Sequence, residues 1–273
     1  MMGIVKKILF YSVLFLAALT FLYPFIWMIL ATFKPEIEIT EITLLPSAFT
    51  LRSYEMVFNK IPIIRAFFNS LFVSVTATAS VLFFSSMVGY SLSRLQFRGR
   101  ELIFGVILLT MMIPAQITLI PMYILMVKLD LTNTYRALIF PASISAFGIL
   151  LFRQYFKAFP QEIIDAARID GAGEFTILYR IIWPNSIPTL ITVGIITFMG
   201  IWNDVLWPLI VIRKENLMTM PQMVTLFSVG GRAEAQLGAI LAAATLLAVP
   251  VMLIYLFFQK YFIRSMATSG LKN

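Results

Sequence analysis

Residues 8–33 read ILFYSVLFLAALTFLYPFIWMILATF, 26 consecutive positions without a charged side chain. Crossing about 30 Å of hydrocarbon at about 1.5 Å per helical residue takes roughly 20 residues, so one α-helix of this stretch reaches across a bilayer. Lys6 and Lys7 ahead of it give it the outline of a secretory signal. A signal's apolar region, however, runs only about 7 to 15 residues before a small-residue cleavage site, and no Ala-x-Ala site follows here. The stretch reads as a retained transmembrane helix.

Four further charge-free windows lie downstream: Ala66–Ser93, Leu102–Val127, Ile181–Asn203 and Ala235–Gln259. A sixth, Ala137–Phe152, has 16 residues and becomes long enough if Tyr135 and the segment through Tyr155 sit at the interface. The expectation is an all-α integral membrane protein, one domain over residues 1–273. Its six spans fall at about 8–33, 66–93, 102–127, 135–155, 181–212 and 235–259. Composition agrees: 60% of residues are hydrophobic and 12% charged, against about 45–50% and about 25% in soluble domains.

Six spans place both ends of the chain on one side. That side carries twelve Lys and Arg residues against nine opposite, so the positive-inside rule puts both termini in the cytoplasm. The net charge of +8 resides in short gaps between apolar runs, which reads as anchoring to anionic headgroups of the lipid bilayer rather than as a nucleic-acid surface. Ser70, Ser74 and Thr78, and Gly238 and Ala242, recur every four residues, a spacing that lets helix backbones approach closely in lipid. Pro24, Pro114, Pro121, Pro141 and Pro250 lie in or near the spans, where neighbouring groups must satisfy the freed backbone.

There is no cysteine and no histidine, which removes thiol nucleophiles, disulfides and nearly all zinc sites. No Gly-Lys dipeptide occurs, so the chain cannot build a Walker-type phosphate loop. The expectation is a non-enzyme with no metal site and no cofactor of its own.

The gap between the fourth and fifth spans, about 157–184, carries the functional signal. Pro160 suits the start of a helix, Glu162 lies in its first turn, and Ile163, Ile164 and Ala167 make an apolar face. Gly171 is the stop, being free to adopt a left-handed backbone, and Phe175, Leu178 and Ile182 continue as a second helix. Such an amphipathic hairpin needs a surface for its apolar stripe: headgroups, the chain's own helix ends, or a partner.

The run Asp165-Ala166-Ala167, followed by Asp170-Gly171-Ala172 and an apolar stretch ending at Pro184, resembles the EAA loop of ABC-importer permeases, with Asp165 standing where the family has Glu. The resemblance implies a type I ABC importer fold in which this loop is the coupling helix that docks in a groove of a cytoplasmic ATPase. Glu162, Asp165, Ala166, Ala167, Asp170, Gly171 and Ala172 would belong to the coupling segment. Asp for Glu keeps the charge but shortens its reach.

Leu22-Tyr23-Pro24-Phe25 through Lys34-Pro35, Trp202-Asn203-Asp204 with Trp207-Pro208, and Gln259-Lys260-Tyr261-Phe262 are similar to the carbohydrate branch of that family, which includes the maltose and glycerol-phosphate permeases. The implied assembly is a prokaryotic inner-membrane complex: this chain, a second permease as heterodimer partner, two ATPase subunits holding ATP and Mg²⁺, and an extracytoplasmic solute-binding protein.

Asp204 is the one acid inside a long apolar context, where an ionised side chain costs about 2.5 to 3.5 kcal/mol on insertion scales. With Trp202 as an aromatic face and Asn203 as an amide, it forms the kind of set that binds sugar rings in apolar clefts. The bland alternative is that Asp204 sits near the outer interface and pairs with Arg213, Lys214 or a partner residue. An ion-coupled secondary transporter is the rival function, but it calls for inverted repeats and several buried ionisable groups. An intramembrane enzyme would have to work without His, Cys or a Lys inside a span.

Overall fold

Every regular element among the described residues is helical. The computed structural model describes residues 2–41, 43–229 and 236–270. Ala235, where the sixth stretch begins, and Arg232 and Lys272 of the charge tally lie outside the described residues, as do the side chains of Gln259–Phe262.

In chain order the helices are α1 (Met2–Ala31), α2 (Arg52–Lys60), α3 (Ile63–Arg94), α4 (Arg100–Thr110), α5 (Ala115–Lys128), α6 (Tyr135–Ile139), α7 (Ala146–Ala158) and α8 (Gln161–Ile169). They continue with α9 (Glu174–Asn185), α10 (Ile187–Trp202), α11 (Leu206–Val211), α12 (Met220–Val229) and α13 (Leu237–Gly270). Within α9, Ile177–Ile182 widens to a π-helix.

Among the described residues two helices, Lys6–Ala31 of α1 and Ile63–Arg94 of α3, are by themselves long and apolar enough to cross a membrane. The stretch expected as one span at 102–127 is instead α4 and α5, bent by 100° where Pro114 opens α5 without an N–H to continue α4. Residues 135–155 divide likewise into α6 and α7, with Pro141 between them. In the 181–212 stretch, α9 and α10 meet at Ser186 with a bend of 88°, just before Pro188. The sequence reading points to Pro114 and Pro141 but not to Pro188, nor to the number of breaks.

The chain forms two compact units, residues 1–64 with 223–250 and residues 65–222 with 251–273. In the first, α1 is apolar all round beyond Lys7 and none of its spanning window is buried among the described residues, as a lipid-facing helix can be. Glu36 accepts the Gly238 N–H at 3.1 Å and so caps the start of α13. A Cβ on Gly238 would stand 2.5 Å from Ser53 Oγ and 2.8 Å from Ile39 Cδ1, so the small residue is required by close approach. Ala242, one turn on, is fully buried.

In the second unit large apolar side chains lie both in the core and on the outer surface. Along α3 many of the buried positions are small, Ala66, Ser70, Ser74, Ala77, Ser85 and Ser86, beside the larger Val73, Val81, Tyr90 and Leu92, while Phe68, Phe72, Phe83 and Phe84 are exposed. Buried polar groups link its elements. Asn69 donates to the carbonyls of Asn216 (3.1 Å) and Met218 (2.8 Å) and accepts from the Tyr135 hydroxyl (2.7 Å). Ser85 Oγ accepts the Ser145 N–H at 3.0 Å. Near its end α3 lies tight on α7: a Cβ on Gly89 would fall 2.7 Å from Phe152 Cβ and 3.0 Å from the Arg153 nitrogen.

Candidate functional site

The hairpin read from residues 157–184 is present as α8, a turn and α9. Pro160 precedes the first turn of α8, and Gly171 follows its end with φ +82°, a backbone open to glycine and costly for other residues. The Gly171 N–H reaches the Arg168 carbonyl (3.0 Å) and the Ala172 N–H reaches the Ala167 carbonyl (2.9 Å). This paired closure is the Schellman motif, which satisfies carbonyls the helix end leaves open.

The apolar face of α8 divides in two. Ile164 and Ala167 are buried in a cluster with Tyr90, Phe152, Phe156, Ile177, Leu178 and Ile182, against which Ala172 also packs. Ile163, expected on the same face, is 45% exposed, because one residue of helical rotation carries it about 100° away from Ile164. Ile169 and Phe175 are 87% and 66% exposed. Glu162, Asp165, Ala166 and Asp170 are exposed as well, so much of the named set shares the hairpin's outer surface. Among the described residues nothing hydrogen-bonds the Asp170 carboxylate.

Asp165 is held within its own helix, accepting from Gln161 Nε2 (2.8 Å) and Arg168 (3.4 Å). Arg168 also spans the turn to Glu174, with Nε to Oε1 at 3.0 Å and Nη2 to Oε2 at 3.3 Å. The bond to Glu174 is the main cause holding the Arg168 guanidinium still further toward its charged form.

Two groups on α3 that the sequence reading did not select also grip the hairpin. The buried Tyr90 hydroxyl donates to Glu174 Oε2. One turn on, Arg94 donates to the carbonyls of Phe156 (2.8 Å) and Phe159 at the end of α7 and to Gln161 Oε1 (2.6 Å). These pairs are 62 to 84 residues apart in the chain, so no local pattern points to them. A Tyr and an Arg four residues apart near the end of a long apolar stretch were the only available signal.

The second set is not brought to one surface. Trp202 is fully buried, stacked on Phe198 (centroids 5.6 Å, planes 17° apart) and edge-on to Phe67 (5.7 Å), so its faces meet the chain's own rings. Asn203 is exposed and its amide donates to the Met199 carbonyl at 2.9 Å. Asp204 follows the end of α10 and accepts the Trp207 N–H at 3.4 Å, an N-cap-like contact at the start of α11. It also lines a cavity of about 190 Å³ with Pro141, Ile201, Trp207, Pro208 and Thr219. Thr219 is 5% exposed, and its hydroxyl has no partner among the described residues. Asp204 forms no ion pair among the described residues, with Arg213 and Lys214 or otherwise; the backbone N–H groups of those two residues donate to Asn133 Oδ1 at 2.6 and 3.1 Å.

Comparison with known proteins gives these elements a context. The family described as binding-protein-dependent transport system inner membrane component matches residues 82–268, which include the hairpin and the Asp204 region. The arabinooligosaccharides transport system permease protein AraQ of Halalkalibacterium halodurans is 37% identical over 92% of this chain and 91% of its own length. The lactose transport system permease protein LacG of Rhizobium radiobacter is 34% identical over 95% and 94%. A crystal structure of a bacterial ABC transporter involved in the import of the acidic polysaccharide alginate contains a chain that superposes with TM-score 0.81 at 26% identity, covering 94% of this chain and 96% of that one. On the extent of these matches, the chain belongs to the family of binding-protein-dependent transport system inner membrane components.

Proposed function

We propose that this chain is one permease subunit of an ATP-driven importer of a carbohydrate and forms half of the pore with a second permease. Its spans would be the six stretches of the sequence reading, some of them built from bent helix pairs, with both termini in the cytoplasm. The α8–α9 hairpin docks one of two ATPase subunits, which hold ATP and its magnesium, and a solute-binding protein delivers the cargo from outside. ATP-driven closure of the ATPases moves the hairpins and tips the pore between inward-facing and outward-facing states. The arabino-oligosaccharide, lactose and alginate systems among the similar proteins support a sugar or sugar polymer as cargo.

The observation that carries the docking assignment is the divided face of the hairpin. Its inner residues are fully used by the chain's own core, yet Ile163, Ile169 and Phe175 remain uncovered on the outer side beside the small Ala166. Apolar groups gathered this way on a rigid, capped turn call for a partner surface.

Co-purification from solubilised membranes tests this, comparing wild type with Gly171→Pro. Proline fixes φ near about −65° and cannot adopt the left-handed turn. The wild type should bring down a nucleotide-binding subunit, and the variant should lose it by about tenfold or more at unchanged permease yield. A wild type that recovers no ATPase, under conditions keeping other such complexes intact, sinks the proposal and favours an ion-coupled secondary transporter.

A further inference from the structure

ATP-driven movement of the hairpin has two routes into the membrane. The covalent route runs along α9 into α10, but α9 contains the π-helical segment Ile177–Ile182 and then breaks at Ser186 with a bend of 88°. Widened and broken helix segments yield to force more readily than a continuous helix. The second route is through α3, an uninterrupted helix of 32 residues.

Three features of the last turns of α3 serve that route. Gly89 lets α3 lie against α7 so closely that even a methyl group would force them apart. The buried Tyr90 hydroxyl holds Glu174, which in turn holds Arg168 across the hairpin turn. Arg94 binds the carbonyls that close α7 and the side chain of Gln161 in the first turn of α8. Both legs of the hairpin are therefore gripped from one side of α3.

We infer that Tyr90 and Arg94, acting through Glu174, Arg168 and Gln161, are positioning residues that lock the docking hairpin to α3, so that α3 is the lever carrying ATPase motion across the bilayer. This rests on the docking role proposed above. Charge-assisted hydrogen bonds with fixed directions suit such a lock, because they resist shear as well as separation.

The absence of native cysteine makes spin-label pairs straightforward. In the reconstituted complex with its ATPase, labels at Ser93→Cys and Thr176→Cys should keep one narrow distance with and without ATP and Mg²⁺. In a separate single-cysteine protein, an environment-sensitive fluorophore at Phe68→Cys, near the other end of α3, should respond to ATP. Tyr90→Phe removes only the hydroxyl. It should broaden the Ser93–Thr176 distance and cut the Phe68 response about fivefold or more, the lower range of ordinary coupling between sites, while ATPase recovery and basal hydrolysis stay at wild-type levels. Glu174→Gln, which keeps shape but loses charge, should show a smaller decrease.

A Ser93–Thr176 distance that shifts with ATP in the otherwise wild-type complex would overturn the lock, as would an unchanged Phe68 response in Tyr90→Phe. Failure to recover the ATPase with wild type is a different result: it removes the docking reading itself and is seen before any label is measured.

Discussion

The chain turns sharply after α8 at Gly171 and again after α10 at Asn203, and the two interruptions are built in opposite ways. At the first, the turn closes as a Schellman motif, and Asp165, Arg168 and Glu174 are all bonded to neighbours. At the second, Asp204 has no ion pair among the described residues, and the Thr219 hydroxyl beside the same cavity has no partner there. A turn whose closing carbonyls and neighbouring charges are paired, with the Asp170 carboxylate left exposed, suits a part that must keep its shape under load. Asp204 keeps a hydrogen bond from the Trp207 N–H, and a buried hydroxyl without a partner is costly to keep.

The largest effect should come from unlocking the turn at Gly171. Arg94→Ala deletes the hydrogen bonds to the end of α7 and to Gln161, and bonds from a charged donor are worth about 1.5–3 kcal/mol each. With solvent partly replacing them, α8 should open about 2–3 kcal/mol more easily, read as faster amide exchange in α8 at unchanged exchange in α10. Equal protection in both proteins would make the two turns alike.

Thr219→Val probes the other region at nearly constant volume. Removing an unpartnered buried hydroxyl should raise stability by about 1 kcal/mol, seen as a higher melting temperature in detergent. A lower melting temperature would show that the hydroxyl is satisfied, by water or solute in the cavity, and would erase the contrast. The smallest stability change belongs to Asp204→Asn, since Asn caps a helix as well as Asp, and it should stay within about 0.5 kcal/mol. Uptake should nonetheless fall if the carboxylate lines the path, and unchanged uptake with normal assembly removes Asp204 from it.

What could be read in the sequence was what is local. Pro160, Gly171 and the apolar residues between them specify a capped helix within a dozen positions, and α8 with its left-handed stop is present. The small residues of α3 mark its packed face because close approach selects residue size directly. Three things were hidden. Tyr90, Arg94 and Asn69 owe their roles to partners far along the chain, so their neighbours in sequence carry no sign of them. Trp202 reads in the sequence as an aromatic face for a sugar ring, whereas in the structure it is buried against Phe67 and Phe198, and only tertiary packing decides between the two uses. Charge-free length cannot separate one straight helix from two bent ones, as 102–127 demonstrates.

The isolation of α1 bears on how the protein is made. Because its apolar window is unburied among the described residues, it can leave the translocation machinery sideways and settle in lipid as soon as it is synthesised. The helices of the second unit, with their buried serines, an asparagine and broken segments, have more to gain from waiting for one another. Insertion should therefore proceed in two stages, a single early anchoring event and a later collective one, and a nascent chain halted shortly after α1 should already resist extraction from the membrane.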